Sequence, residues 1–192
     1  MTSYRDRAQG TMTQPDRPCP QLDPDMAQAI GHAVASFGFL EESLKRAIYS
    51  LTLKGLGESA SDAALQDWIE RMENLADDSM GTLIDAFAAA SRDSGAEGRK
   101  PLIAELRDIR KLRNLICHAS WRPTHTEGLW QPTFINTKGA PPPGPMTATE
   151  VNRLRDQTLA AARRCLAIMR ATGIAGQIAG QHPNGASEPP CG

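Results

Sequence analysis

Apolar residues recur at intervals of three and four through most of the chain, and this spacing constrains the fold more than any other feature. Residues three or four apart lie on one side of an α-helix, so each such stretch predicts an amphipathic helix. The first stretch begins after Asp23-Pro24, a pair typical of a helix N-cap followed by proline in the first turn. It is predicted to run to about Leu53, with Gly55 and Gly57 ending the helix. Its apolar face comprises Met26, Ile30, Ala33, Phe37, Leu40, Leu44, Ile48 and Leu51.

Two more helical regions precede a change in sequence character. One, continuous or broken once, is predicted from Ser61 to about Ser91, and the next runs from Arg99 to about Ala119. The polar turn over residues 94–98 separates them. The apolar residues of the first region form two successive stripes, Leu65, Trp68, Ile69, Met72 and Leu75, then Met80, Leu83, Ile84 and Phe87.

The segment after residue 119 has the features of a short β-hairpin. Aromatic and β-branched residues occupy positions 121–124 and 129–135, on either side of the turn signal Glu127-Gly128. Residues 139–145, rich in proline and glycine, predict an extended loop. A capping box over Thr147–Glu150 then opens a last helix, predicted to end at Gly173.

These elements predict an all-α domain, a bundle of about five helices with a small β-hairpin inserted before the last helix. The helical domain is assigned to residues 23–173, and the polar stretches 1–22 and 174–192 are predicted to be a disordered leader and tail. No apolar run approaches the roughly 20 residues of a membrane helix, and the first 20 residues lack a signal-peptide core. The four cysteines are scattered without paired spacing. We therefore expect a cytoplasmic protein with no membrane segment, no metal site and no cofactor.

The net charge of −1 hides a segregation of charge along the chain. Residues 24–98 carry 5 basic and 13 acidic side chains, whereas residues 99–122 carry 7 basic and 2 acidic ones. The last helix, residues 147–173, carries 5 basic and 2 acidic side chains. A basic sector of this kind suits a polyanion such as RNA. The alternative, which stays open at this point, is that the basic helices neutralise the acidic ones across the fold.

The six residues Arg113–His118 offer the most specific chemistry in the sequence. A guanidinium can hold a phosphate through two hydrogen bonds, and an imidazole can transfer a proton near neutral pH. On an ideal helix, positions five apart lie about 140° apart around the axis. Arg113 and His118 therefore converge on one ligand only if the helix loosens near His118 or if a second copy of the chain contributes the other half. The second route predicts a symmetric dimer.

On these residues the chain resembles the HEPN superfamily (higher eukaryotes and prokaryotes nucleotide-binding domain). Its members are bundles of four or five helices with an R-x4-6-H motif near a helix end and a polar residue after the arginine. Arg113, Asn114 and His118 match that motif. The sequence from Phe37 to Glu41 is similar to an aromatic-x-x-Leu-Glu pattern of bacterial members. The resemblance extends over residues 24–173, although only these two motifs are specific.

The resemblance implies a metal-independent endoribonuclease of toxin–antitoxin or antiviral defence type, working as a homodimer with RNA between the subunits. His118 is then the general base or acid, Arg113 clamps the scissile phosphate, and Asn114 orients its neighbours. Glu41 is expected to hold Arg113 or Asn114 in place from the first helix. Trp121, beside the motif, is a candidate for stacking on an RNA base.

Other interpretations remain open. Some HEPN members are catalytically inactive and serve for dimerisation or for binding a protein or nucleotide, and others accompany a nucleotidyltransferase partner; an antitoxin is a further expected partner. His118 can instead be a histidine that interacts with the helix dipole, and Arg113 an ion-pair partner of Glu41 or Asp108. Trp121 can be a packing residue. Cys117 is expected to be a small buried apolar residue.

Overall fold

The computed structural model describes residues 20–57, 59–133 and 144–173. This part of the chain is mostly helical, with five helices, as the apolar spacing predicted, and a small antiparallel sheet. The predicted tail, residues 1–19 of the predicted leader, residues 134–135 of the predicted hairpin and residues 139–143 of the predicted loop lie outside the described residues. In chain order the elements are α1 (Pro24–Leu56), α2 (Asp62–Ala76), α3 (Met80–Asp93), α4 (Arg99–His118), β1 (Ser120–Pro123), β2 (Leu129–Thr133), β3 (Met146–Thr147) and α5 (Ala148–Arg170).

The first helix begins where local sequence predicted and ends later. The Asp23 side chain accepts a hydrogen bond of 2.8 Å from the Met26 backbone N–H, which caps α1 with Pro24 as its first residue. At the other end α1 continues through Gly55 and stops at Gly57, whose φ of 78° is readily adopted only by glycine. Of the two glycines expected to end the helix, only Gly57 does so, because a glycine inside a helix weakens it without breaking it.

The predicted helical region over residues 61–91 is two helices. The serines Ser61 and Ser79 cap α2 and α3 through their side chains, and the break lies between Ala76 and Ser79. In α2 only Leu75 is buried; Leu65 and Ile69 are 41% and 36% exposed. The apolar stripe predicted for this helix is therefore only partly covered, because α1 packs against one side of it.

The core forms around α1, which packs along α5 on one side and against α3 and α4 on others. The buried residues of α1, which recur every three or four positions, pack against apolar residues of those helices. The largest fully buried side chains include Met26, Leu40, Leu44, Leu83, Phe87, Leu102 and Leu106. None of the helices in the described ranges is both long and apolar enough to cross a membrane.

The predicted hairpin is present as part of a three-stranded antiparallel sheet of order β1-β2-β3. Its turn contains Gly128 at a φ of 71°. The third strand was not predicted, because two residues are too few to show any alternation. Trp130 in β2 donates a 2.6 Å hydrogen bond from Nε1 to Asp23 Oδ2 and so ties the sheet to the start of α1. The Met26 N–H first, and then the Trp130 N–H, lower the pKa of the Asp23 carboxyl.

The last helix opens at Thr147 with the predicted capping box. The Thr147 hydroxyl accepts from the Glu150 N–H, and the Glu150 carboxylate accepts from the Thr147 N–H at 2.7 Å. The Thr147 backbone N–H first, and then the Thr147 hydroxyl, which also donates to the Glu150 carboxylate at 2.9 Å, lower the pKa of Glu150. The helix ends at Arg170, three residues before the predicted Gly173.

Candidate functional site

The motif lies at the very end of α4, and the helix remains regular up to its last residue. The Ala119 N–H donates to the Leu115 carbonyl at 2.9 Å, which closes the final helical turn around His118. Because five positions turn a helix by about 140°, Arg113 and His118 leave α4 on different sides. A loosened helix end, one of the two routes that could join these residues, is therefore not what the structure shows.

Arg113 connects α4 to α1. Its Nη2 donates to Glu41 Oε1 at 3.3 Å, and its Nη1 lies 3.4 Å from Asn114 Oδ1, a long hydrogen bond to the neighbouring residue. The side chains of Arg113 and Glu41 are 30% and 27% exposed, so the ion pair is partly shielded from water. The contact expected between Glu41 and Arg113 is thus present, and Glu41 fixes the direction in which the guanidinium points.

One donor of this guanidinium has no acceptor in the described part of the chain. The Nε of Arg113 is buried and has no hydrogen-bond partner within the described residues. A buried donor without an acceptor costs about 1–3 kcal/mol, so such groups in a folded protein call for an explanation. The buried Nε therefore offsets part of the stability that the ion pair with Glu41 contributes.

The outer surface of the helix end is polar and open. Asn114, Cys117 and His118 are all exposed. Asn114 and His118 are four positions apart and so lie one above the other on the helix. The prediction that Cys117 is buried is wrong: Ile116, 3% exposed, takes the core-facing position, and the next residue points about 100° away from it.

Trp121 does not contribute an exposed ring. It is only 8% exposed and packs in the core, between the exposed residues Ser120 and Arg122 of β1. The alternation of side chains along a strand determines which of these neighbours faces inward. The packing interpretation of Trp121 is therefore the one observed, and we do not include it in the candidate site.

The basic residues around the motif are partly neutralised. Of the seven in residues 99–122, Arg107 pairs with Asp85 of α3 at 3.2 Å and Arg113 pairs with Glu41 of α1. Lys111 pairs with Asp108 within α4 at 2.8 Å. Because the Arg107 and Lys111 pairs are more than half exposed, each contributes little to stability, yet both reduce the local positive charge.

Other reactive groups offer no second centre in the described part of the chain. Burial raises the pKa of the Cys165 thiol to about 12, which makes it a poor nucleophile. The described residues contain no group of three or more histidine, cysteine, aspartate or glutamate side chains placed to hold a metal ion. A cleft of about 550 Å³ lies between Leu56 and α2, away from the motif.

Comparisons of this chain with protein-family models, curated proteins and solved structures find no match. The geometry at the end of α4 is therefore the observation that bears on function. The sequence identified Arg113, Asn114, His118 and Glu41, of which the structure brings Arg113, Asn114 and Glu41 into contact. The sequence did not indicate that Cys117 is also exposed at this end of α4.

Proposed function

We propose that this chain is a HEPN-like, metal-independent endoribonuclease that cleaves RNA through the substrate's own 2′-hydroxyl. The observation that supports this most is the connected group of Glu41, Arg113 and Asn114, which adjoins an exposed histidine on the last turn of the same helix. A fixed guanidinium and an accessible imidazole are the two groups that a metal-free phosphodiester cleavage requires.

In this mechanism the RNA provides the nucleophile. His118 accepts the proton of the 2′-hydroxyl, and the 2′-oxygen attacks the adjacent phosphorus. The bond from phosphorus to the 5′-oxygen breaks, and the leaving oxygen takes up a proton from solvent or from a protonated imidazole. The products are a 2′,3′-cyclic phosphate and a 5′-hydroxyl. DNA, which lacks the 2′-hydroxyl, should resist cleavage.

Arg113 stabilises the charge that develops on the phosphate oxygens. Its guanidinium is already oriented by Glu41 and Asn114, so little conformational freedom is lost when the phosphate binds. Because it is still 30% exposed, part of the group remains accessible. Asn114 lies between Arg113 and the turn that carries His118, where its amide can bond either a substrate oxygen or the second subunit.

A homodimer belongs to the proposal because of the angle between the two key side chains. With Arg113 directed at α1 and His118 about 140° further around α4, a complete site is best formed by Arg113 of one subunit and His118 of the other. The surface next to Arg113 is open to a second copy. Val34, Gly38 and Glu41 follow one face of α1, Val34 is 45% exposed, and a Cβ added to Gly38 would meet nothing within 4 Å.

The second candidate function is a catalytically inactive HEPN-like module for dimerisation or for binding a protein or nucleotide. The ion pairs of Arg107 and Arg113 with acidic residues on α3 and α1 favour it, because they leave less positive charge for RNA. A role in toxin–antitoxin or defence systems, with an antitoxin or a nucleotidyltransferase as partner, belongs to the same set of proposals.

Cleavage of a single-stranded RNA oligonucleotide in EDTA separates the two candidates. We expect the parent protein to cut it and to leave a 2′,3′-cyclic phosphate, and His118→Ala and Arg113→Ala to lose at least about 100-fold in rate. His125→Ala and Arg163→Ala are matched controls, since both residues are exposed and belong to other parts of the fold, the turn between β1 and β2 and helix α5.

Three outcomes would decide against the nuclease. Cleavage that requires a divalent ion contradicts the metal-free mechanism. Equal activity of His118→Ala and the parent removes the imidazole from the reaction. A parent protein that dimerises and binds nucleotide or protein without cutting RNA supports the inactive module. Growth inhibition on expression in bacteria, relieved by either motif variant, is a simple companion test.

A further inference from the structure

The exposed side of α2 carries an apolar pair between two carboxylates. Asp62, Leu65, Ile69 and Glu73 follow one another at intervals of three, four and four, so they form one line along the helix. We call these four residues the α2 stripe. Leu65 and Ile69 are 41% and 36% exposed, and they are two of the four large hydrophobic residues that are exposed in the described part of the chain.

The attachment of α2 to the rest of the fold leaves this stripe uncovered. Tyr49 donates from its hydroxyl to the Met72 carbonyl at 2.9 Å, and Trp68 donates from Nε1 to Thr52 Oγ1 at 2.9 Å. The Tyr49 and Trp68 rings also meet edge to face, with centroids 6.3 Å apart. These contacts hold α2 against α1 through residues beside the stripe, and Leu65 and Ile69 stay exposed next to them, so a partner can reach the stripe without moving the helix.

The two carboxylates of the stripe differ in what they contribute to α2. Asp62 lies in the first turn, where a carboxylate is favourable, but Glu73 lies near the last turn, which carries no basic residue. A carboxylate near a helix C-terminus is destabilising. Neither Asp62 nor Glu73 forms an ion pair within the described residues. The acidic ends of the stripe are thus free to attract a positively charged partner.

The charge also selects the class of occupant. Nucleic acids and anionic lipid surfaces are repelled by carboxylates that flank the apolar pair. A two-fold contact between two copies of the stripe would place like charges together, which is unfavourable. A helix with apolar residues at intervals of three and four and lysine or arginine beside them complements both features.

We infer that the α2 stripe is a docking surface for a basic amphipathic helix of a partner protein, with Leu65 and Ile69 as apolar anchors and Asp62 and Glu73 as charge contacts. This inference is independent of the proposed nuclease activity. It concerns a different surface from the end of α4, so the two can fail separately.

The probe is a synthetic helical peptide of about 18 residues, made of leucine and lysine with the leucines on one face. Binding is measured by fluorescence anisotropy. We expect the double variant Leu65→Gln/Ile69→Gln to weaken binding about tenfold, and Asp62→Asn/Glu73→Gln to weaken it and reduce its salt dependence. The matched control is Asp67→Asn/Glu70→Gln, which removes the same charge from residues of α2 outside the stripe that line a cleft.

Several results would overturn the inference. Equal binding of a peptide with the same composition but scattered leucines shows that charge alone attracts the probe. Unchanged binding to Leu65→Gln/Ile69→Gln removes the anchors. A fall of more than about 5 °C in the melting temperature of that variant assigns the pair to the protein's own stability. A dimer of the parent that this variant dissociates in the absence of peptide assigns the stripe to self-association.

Discussion

Mixing two inactive variants tests whether the proposed site is shared between subunits. Arg113 points to Glu41 on α1, and α4 is a regular helix as far as His118. The guanidinium and the imidazole therefore face different directions within one chain. If the site combines Arg113 of one subunit with His118 of the other, Arg113→Ala and His118→Ala damage opposite halves of it. A mixed dimer then contains one site with both residues intact and one site with neither.

The expected recovery follows from this arrangement. Random exchange of equal amounts of the two variants places about half of the dimers in the mixed form, each with one intact site of two. Activity should therefore return to about one quarter of the parent's, and purified mixed dimers should reach about one half. The activity of either variant alone is expected to be at least about 100-fold below that of the parent, so this recovery is easily measured.

The assay is cleavage of a fluorogenic RNA oligonucleotide in EDTA by mixed dimers that carry two different affinity tags. The control pairs Arg113→Ala with the double variant Arg113→Ala/His118→Ala, because that dimer contains no intact site in either arrangement. If verified mixed dimers stay as inactive as the single variants while the parent cuts RNA, the shared site is refuted and both residues must act within one subunit.

Three further predictions concern Glu41, which positions Arg113, and the residues that begin and end α1. Glu41→Gln should slow RNA cleavage less than Arg113→Ala does, because it weakens the hold on the guanidinium without removing it; an equal or larger loss in a rate assay would contradict this. Asp23→Ala should lower the free energy of unfolding by about 2 kcal/mol in urea titrations, since α1 loses its cap and Trp130 its acceptor, whereas Asp23→Asn should lose less. The pKa of Asp23 is lowered in the folded protein, so the charged carboxylate stabilises the fold above the unfolded pKa. This contribution is lost as the pH falls through the folded pKa, so the stabilities of the parent and of Asp23→Asn should converge in acid. Stability curves that stay apart in acid would contradict the stabilising role of the Asp23 charge. Gly57→Ala should destabilise the protein by about 1 kcal/mol, because the φ of 78° at this position is strained for alanine. Gly55→Ala should stabilise the protein by up to about 1 kcal/mol, because Gly55 lies inside α1 with open space around it. Melting temperatures that shift in the same direction for both variants would refute this pair of predictions.

The parts of the fold that depend on neighbouring residues could be predicted from the sequence. The caps of α1 and α5 are formed between residues three apart, so Asp23 and Thr147 could be recognised without a tertiary structure. The helical regions were visible in the apolar spacing because a buried face repeats every three or four residues. The third strand and the end of α1 left no such pattern.

The candidate site was predicted in its residue types and only partly in its geometry. Glu41 was selected by a motif, and its contact with Arg113, 72 positions along the chain, is present. Trp121 lies next to the motif in sequence, yet strand alternation directs it into the core. Cys117 faces outward because Ile116 takes the buried position. Proximity in sequence does not determine which side of an element a residue occupies.

The sequence by itself determined the predominantly helical fold, the starts of α1, α2, α4 and α5 and the residues available for chemistry, because these follow from local hydrogen bonds and from the period of the helix. The tertiary structure decided which faces are covered. It placed Arg113 against Glu41, left His118 and Cys117 on the exposed end of α4, and left Leu65 and Ile69 uncovered on α2. The reason is that burial depends on how helices distant in sequence pack together, and the apolar pattern of one helix does not specify how much of its face a neighbour will cover.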